Sequence, residues 1–163
     1  MPWATTHPCR RTWPRATTTI STVIRRVAHP TLIDTGALLA VANPRDQFHQ
    51  RAVALGRRHL AQGGRWVGTT LVLAELHGHL LQRRGAETAR THLARLLDDP
   101  AYEWVDASVD VVREAQARWL ARFHDQPFTL TDAVSFEVMR RARLTTAFAF
   151  DHHFEIAGYS LLQ

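Results

Sequence analysis

From residue 30 onward, short apolar runs alternate with helix-like stretches, the order expected of an α/β domain built on a parallel sheet. Thr31-Leu32-Ile33 predicts a first short strand ending at Asp34-Thr35-Gly36. Ala37 to Val41 reads as a helix of one or two turns, stopped at Asn43-Pro44 because a residue before proline is pushed out of helical geometry. Asp46 is expected to open a second helix to about Gln62, with Phe48, Ala52, Val53 and Leu55 or Leu60 facing inward and Gly63-Gly64 closing it. Trp66-Val67-Gly68 follows as a second strand.

The apolar spacing of Leu71, Val72, Leu76, Leu80 and Leu81 predicts a helix to Arg84, capped by Thr69 or Thr70 and ended by Gly85. Ala86 to Asp98 continues as another, with Ala89, Leu93 and Leu96 or Leu97 inward, so the two form an αα-hairpin. A strand is expected over Tyr102 to Val105 and a helix from Ser108 to Phe123. After the polar loop His124 to Phe128, a helix is expected from Asp132 to Arg141 and a last strand from Thr145 to Phe150, ending at Asp151. No internal repeat is present.

Residues 1–29 differ: they are rich in Thr, Arg and Pro, carry no acid and show no apolar period, so a poorly ordered segment is expected ahead of a single domain over 30–163. The favoured reading is a translation start placed upstream of the true one, with a transit-like or RNA-contacting arm as alternatives. Arg10-Arg11 resembles a twin-arginine export signal, but the apolar stretch such a signal requires does not follow.

Composition changes this picture little. A chain of 163 residues, 45% hydrophobic and 21% charged, can bury a core of its own without disulfide staples. Its one cysteine, Cys9, has no internal partner, which permits a reducing compartment. No run approaches the roughly 20 apolar residues of a membrane span, so a soluble cytoplasmic protein is expected. The formal charge of +5 suggests nucleic acid until it is divided along the chain: residues 1–33 hold five Arg and no acid, and residues 34–163 hold 15 Arg against 15 Asp and Glu. The domain itself is neutral.

The acids are more informative than the net charge. Open α/β sheets bind ligands outside the carboxyl ends of their strands, and Asp34 and Asp151 each end an apolar strand. Asp132 starts a helix just after Thr131, and Glu75 lies one turn into the Leu71 helix beside core-facing leucines. Each has a plainer reading. Asp34 can cap the helix near Gly36, Asp151 a turn through His152 and His153, and Asp132 gains from the helix dipole; Glu75 can pair with His79. If the four converge, they repel one another unless cations bind, and oxygen ligands suit Mg²⁺ or Mn²⁺. Such ions activate water for phosphodiester hydrolysis.

The strings Leu32-Ile33-Asp34-Thr35-Gly36, Leu73-Ala74-Glu75-Leu76, Leu130-Thr131-Asp132-Ala133-Val134-Ser135-Phe136 and Phe150-Asp151-His152-His153-Phe154 resemble PIN-domain nucleases, especially the VapC-like ribonuclease toxins of toxin-antitoxin pairs. The likeness runs from about residue 31 to the C-terminus. It implies an α/β fold with a mainly parallel, twisted sheet of about four to five short strands flanked by helices. It also implies a divalent-metal-dependent endoribonuclease in which Asp34, Glu75, Asp132 and Asp151 form the catalytic Mg²⁺ or Mn²⁺ site. Thr35 and Thr131 would orient a ligating water or a phosphate, with helix capping as their plainer role. A cognate antitoxin and a homodimer are further implications. Two other readings stay open: a PIN-like module that binds RNA or protein without cutting, and a DNA or structure-specific nuclease on the same fold.

The remaining candidates carry less. With no basic face, phosphate contact falls to local Arg, and Arg83, Arg84, Arg140, Arg141 and Arg143 cluster near helix ends, where a solvated helix surface is the favoured reading for most of them. His77 and His79 sit two apart on a helix and point to different faces, which argues against a shared zinc. His152-His153 reads as a polar loop beside Asp151, Asp106 as a residue at the start of a helix, and Asp125 as solvated surface. Neither a G-x-G-x-x-G run nor a P-loop is present.

Overall fold

A computed structural model describes residues 29–163; the expectations for residues 1–28 and for Cys9 lie outside them. The elements in chain order are β1 (Pro30–Ile33), α1 (Thr35–Ala42), α2 (His49–Ala61), β2 (Arg65–Thr69), α3 (Thr70–Arg84) and α4 (Ala86–Asp98). They continue as β3 (Tyr102–Val105), α5 (Val109–Ala115), a π-helical turn (Gln116–Leu120), α6 (Leu130–Ala142), β4 (Thr146–Phe148), α7 (His153–Ile156) and β5 (Ser160–Leu161).

The five strands form one sheet in the order β3-β2-β1-β4-β5, and every pairing is parallel. The chain moves outward from β1 to β2 and β3, then returns to place β4 on the other side of β1. This reversal opens a crevice at the carboxyl ends of β1 and β4. The register sets Leu32 opposite Ala147 and Ile33 opposite Phe148, and the Asp34 amide donates to the Phe148 carbonyl at 3.0 Å. Asp34 and the segment running to Asp151 therefore leave the sheet side by side.

Alternation along the short strands divides the core in two. Leu32, Val67 and Ala147 pack with α5 and α6 through Val111, Ala115, Val134, Phe136 and Val138, while Ile33, Trp66 and Phe148 pack with α1 to α4 through Leu38, Leu55, Val72 and Leu76. At Gly68 a Cβ would lie 2.2 Å from the Trp104 ring, so glycine lets β3 press its indole flat against β2. The Trp104 Nε1–H donates to the Leu96 carbonyl at 2.9 Å, tying that ring to α4.

Several boundaries differ from the sequence expectation. The second helix begins at His49, because Asp46 instead accepts the Phe48 amide in a turn. Within it Leu60 is exposed while Leu55 is buried, and in α4 Leu97 is exposed. The helix expected to reach Phe123 is α-helical only to Ala115 and then widens into the π turn; Ser108, not Asp106, caps it. The last expected strand pairs only over Thr146–Phe148. α7 and β5 were not anticipated, being too short to show a period. The longest correct spans, α4 and β3, match residue for residue.

Candidate active site at the sheet switch point

Asp34 follows β1 and caps α1: its backbone is extended and its Oδ2 accepts the Gly36 amide at 3.0 Å. Asp132 is the third residue of α6 in a capping box, in which its Oδ2 accepts the Thr129 amide at 2.8 Å and its own amide donates to the Thr129 hydroxyl at 3.0 Å. Asp151 accepts the His153 amide at 3.0 Å and so turns the chain into α7. The plainer capping roles are thus all filled, and they fix the three carboxylates at element ends facing one crevice.

Two of the four acids come within a single ligand sphere, with a residue the sequence reading had left in a polar loop. One ligand atom each from Asp132, Asp151 and His153 lie within 4.8 Å of one another. His153 Nδ1 is 3.4 Å from Asp132 Oδ2 and 3.9 Å from Asp151 Oδ1. The adjacency of His153 to Asp151 in the sequence was the available signal; the helical turn that rotates its ring back was not. Asp34 adjoins this group, since burial pushes its carboxyl up to about 7, with the Asp151 and Asp132 charges pushing the same way against the Gly36 amide. Asp151 is also raised, by burial first and then by Asp132.

Glu75 reaches the site through a neighbour. Its Oε2 accepts the Thr35 hydroxyl at 2.7 Å, so its partner is Thr35 rather than the expected His79. Neither threonine caps a helix: Asp34 caps α1 and Thr129 caps α6. Thr131 is half-buried on the first turn of α6. Asp125 stays on the surface, accepting only from its neighbour Gln126.

The donor set fits a hard divalent cation. It is dominated by carboxylate oxygen, and Asp34 and Asp132 are buried to 5% and 6% exposure. Among the described residues no Arg pairs with any of the site acids; the basic group near them is His153. Burial and the neighbouring acid charges raise the Asp34 and Asp151 carboxyls, a cost that a bound cation would offset.

Three of the five arginines named from sequence have partners of their own. Arg140 and Arg141 hold the buried Glu137 at 2.7 and 2.6 Å, Arg84 donates to Asn43 at 2.6 Å, and Arg143 takes the left-handed position after α6. Arg140 also lies about 12 Å along α6 from Asp132 at about 1.5 Å per residue, on the side of the sheet away from the crevice.

Residues 31–158 match the family model of the PIN domain. The chain belongs to the PIN domain family. Among curated proteins, this PIN domain is 31% identical over 80 residues to the 23S rRNA-specific endonuclease VapC20 of Mycobacterium tuberculosis, in both strains CDC 1551 / Oshkosh and H37Rv. That match covers 49% of this chain and 60% of the relative's length. The crystal structure of M. tuberculosis VapC20, described as a sarcin-ricin loop cleaving toxin, superposes with a TM-score of 0.70 at 27% identity, covering 79% of this chain and 95% of that one. FitAcB from Neisseria gonorrhoeae shares the fold, with a TM-score of 0.60 at 17% identity over 82% of this chain and 96% of that one. VapBC2 from Rickettsia felis, solved with a promoter DNA fragment, also shares it, with a TM-score of 0.58 at 16% identity over 81% and 96%.

Proposed function

We propose that this PIN domain is a divalent-metal-dependent endoribonuclease, the toxin of a toxin-antitoxin pair, working in the cytoplasm as a homodimer held in check by a cognate antitoxin protein. The observation that carries the reading is the convergence of Asp34, Asp132 and Asp151 at the sheet switch point, where no Arg among the described residues pairs with them. Likeness to VapC20 supports RNA as substrate.

In this reading Asp34, Asp132 and Asp151 hold Mg²⁺ or Mn²⁺, and Glu75 completes the site directly or through water. The bound ion supplies a lowered water pKa and charge stabilisation at the phosphate. The chain's own residues supply geometry. Asp34 and Asp132 are locked by backbone amides at helix starts, which removes rotamer freedom from the ligand oxygens. Thr35 orients Glu75 by donating its hydroxyl proton, leaving the hydroxyl oxygen free to accept from a water or a phosphate-bound proton donor. Thr131, on the first turn of α6, is placed to meet the substrate. His153 Nδ1 lies 3.4 Å from Asp132 Oδ2 and 3.9 Å from Asp151 Oδ1 and would orient these carboxylates.

The test is cleavage of an RNA panel that includes a sarcin-ricin loop oligonucleotide, with Mg²⁺, with Mn²⁺ and with chelator. Cutting that requires metal and is lost in Asp34→Asn is the expected result. Retained cutting by folded Asp34→Asn refutes the site assignment; preferential cutting of matched DNA substrates moves the activity to a DNA nuclease; RNA binding without cutting moves it to a binding module.

A further inference from the structure

Arg51 stands apart from the other arginines. It lies in the first turn of α2, where the positive end of the helix dipole disfavours a cation, and that turn carries no acidic residue. It is exposed and, among the described residues, takes part in no ion pair. Its guanidinium carbon sits 5.9 Å from the Phe150 ring centroid, within reach of a cation-π attraction. Phe150 stacks on Phe48 at 4.6 Å with 3° between the ring planes, and Phe150 is the residue directly before Asp151.

The connectivity brings the start of α2 to the edge of the sheet where the site acids lie. α2 has to end where β2 begins, at the amino edge of the sheet, so its first turn lies toward the carboxyl edge. The turn leading into it is tied down: Asp46 accepts the Phe48 amide at 2.8 Å, and His49 Nδ1 meets the Ala40 carbonyl at 2.8 Å. Phe48 then anchors the helix start onto Phe150.

We infer that Arg51, shelved on Phe150, contacts a backbone phosphate of the RNA strand beside the scissile linkage. The inference rests on the nuclease reading above and deepens it. A guanidinium braced by an aromatic ring keeps its N–H edge presented to a phosphate, which it can grip with two hydrogen bonds. It would supply, next to a cluster of acids that repels RNA, the local attraction that the neutral domain lacks.

Steady-state cleavage of the sarcin-ricin loop oligonucleotide in Mn²⁺ by the full chain, its Arg51→Ala and its Arg51→Lys variants tests this, with far-ultraviolet circular dichroism as the folding check. For Arg51→Ala we expect KM to rise about five- to tenfold with kcat within twofold, and the slope of log affinity against log salt to fall by about 0.7, the value for one phosphate on a single strand. Arg51→Lys should keep the salt slope and recover part of KM, since a structural loss of the ring contact alone would move neither in this pattern. Unchanged KM and slope in folded Arg51→Ala, or a loss confined to kcat, overturns the Arg51 contact while leaving the nuclease reading intact. A parent protein that neither cleaves nor binds the oligonucleotide overturns both.

Discussion

The Thr35 hydroxyl donates to Glu75 Oε2 at 2.7 Å across 40 residues of chain. This bond ties the first turn of α1, beside Asp34, to α3, so Glu75, outside the Asp132, Asp151 and His153 group, is steered by the residue next to the most buried of the four site acids. Thr35→Val keeps the shape and removes the donor. It should cost about 1 kcal/mol of stability and a larger share of activity, whereas Glu75→Gln keeps an acceptor for Thr35 and should lose activity with little loss of stability. Urea denaturation beside cleavage assays separates the two effects.

Asp34 makes the metal-free protein sensitive to pH in a defined direction. Its carboxyl is raised from 3.8 to about 7 by burial and by the neighbouring acids, so the fold favours the protonated form. This stability is complete below the unfolded value and is lost as pH rises through about 7, a total on the order of 4 kcal/mol. In chelator, Asp34→Asn should therefore melt higher than the parent at pH 8, with the difference vanishing toward pH 4. An equal or lower melting temperature for the variant at pH 8 would contradict the uncompensated burial.

His153 lies between two of the carboxylates, 3.4 Å from Asp132 and 3.9 Å from Asp151. Residues that orient ligands in this way change metal affinity by about 10- to 100-fold when removed. His153→Ala should raise the Mn²⁺ concentration needed for half-maximal thermal stabilisation by about tenfold while the chelator-treated proteins melt alike. Isothermal calorimetry gives an independent value.

Glu137 is fully buried and is gripped by Arg140 through two hydrogen bonds of 2.9 and 2.7 Å and by Arg141 at 2.6 Å. The guanidinium groups hold its carboxyl below the usual range, more than offsetting burial, which acts the other way. A depressed acid stabilises the fold above its unfolded value near 4.5 and loses that contribution as pH falls through the lower folded value. Glu137→Gln should destabilise at neutral pH by about 1 to 3 kcal/mol, the arginines being solvated enough to survive alone, and the gap from the parent should close in acid.

Gly68→Ala tests the packing of the outer strands. Its Cβ would meet Trp104 at 2.2 Å, and moving that ring endangers the bond from its Nε1–H to Leu96. Overpacking of this kind costs about 1 to 3 kcal/mol, readable by denaturation and by a shift in tryptophan fluorescence.

What could be read from the chain tracks the length of each signal. α4 announces itself through the Gly85 and Asp99-Pro100 boundaries, and β3 through Tyr102, Trp104 and Val105 closed by Asp106. The end of β1 was legible because Asp34 directly follows an apolar run, whereas β4 stops at Phe148, short of the apolar run that reaches Asp151. His153 and the Thr35 to Glu75 bond were not legible, since both depend on how side chains separated in sequence turn toward each other after the helices dock. The pairing of Arg140 and Arg141 was hidden for a related reason: clustering in sequence says nothing of whether a buried acid such as Glu137 already claims them. Asp34 could be read as a cap or as a ligand, and the cap is the role its bond to the Gly36 amide fills.

The position of β1 in the sheet has a consequence for the order of synthesis. Its neighbours are β2, which follows within the first half of the chain, and β4, whose Phe148 pairs with Ile33. Ribosomes release sequence from the amino end, and distant strand pairing is slow to form. A nascent chain ending before Thr146 can hold Asp34 and Glu75, yet it has no β4 and no Asp151 to close the crevice. On the nuclease reading proposed above, the site would stay incomplete through most of translation and close only once β4 and Asp151 emerge.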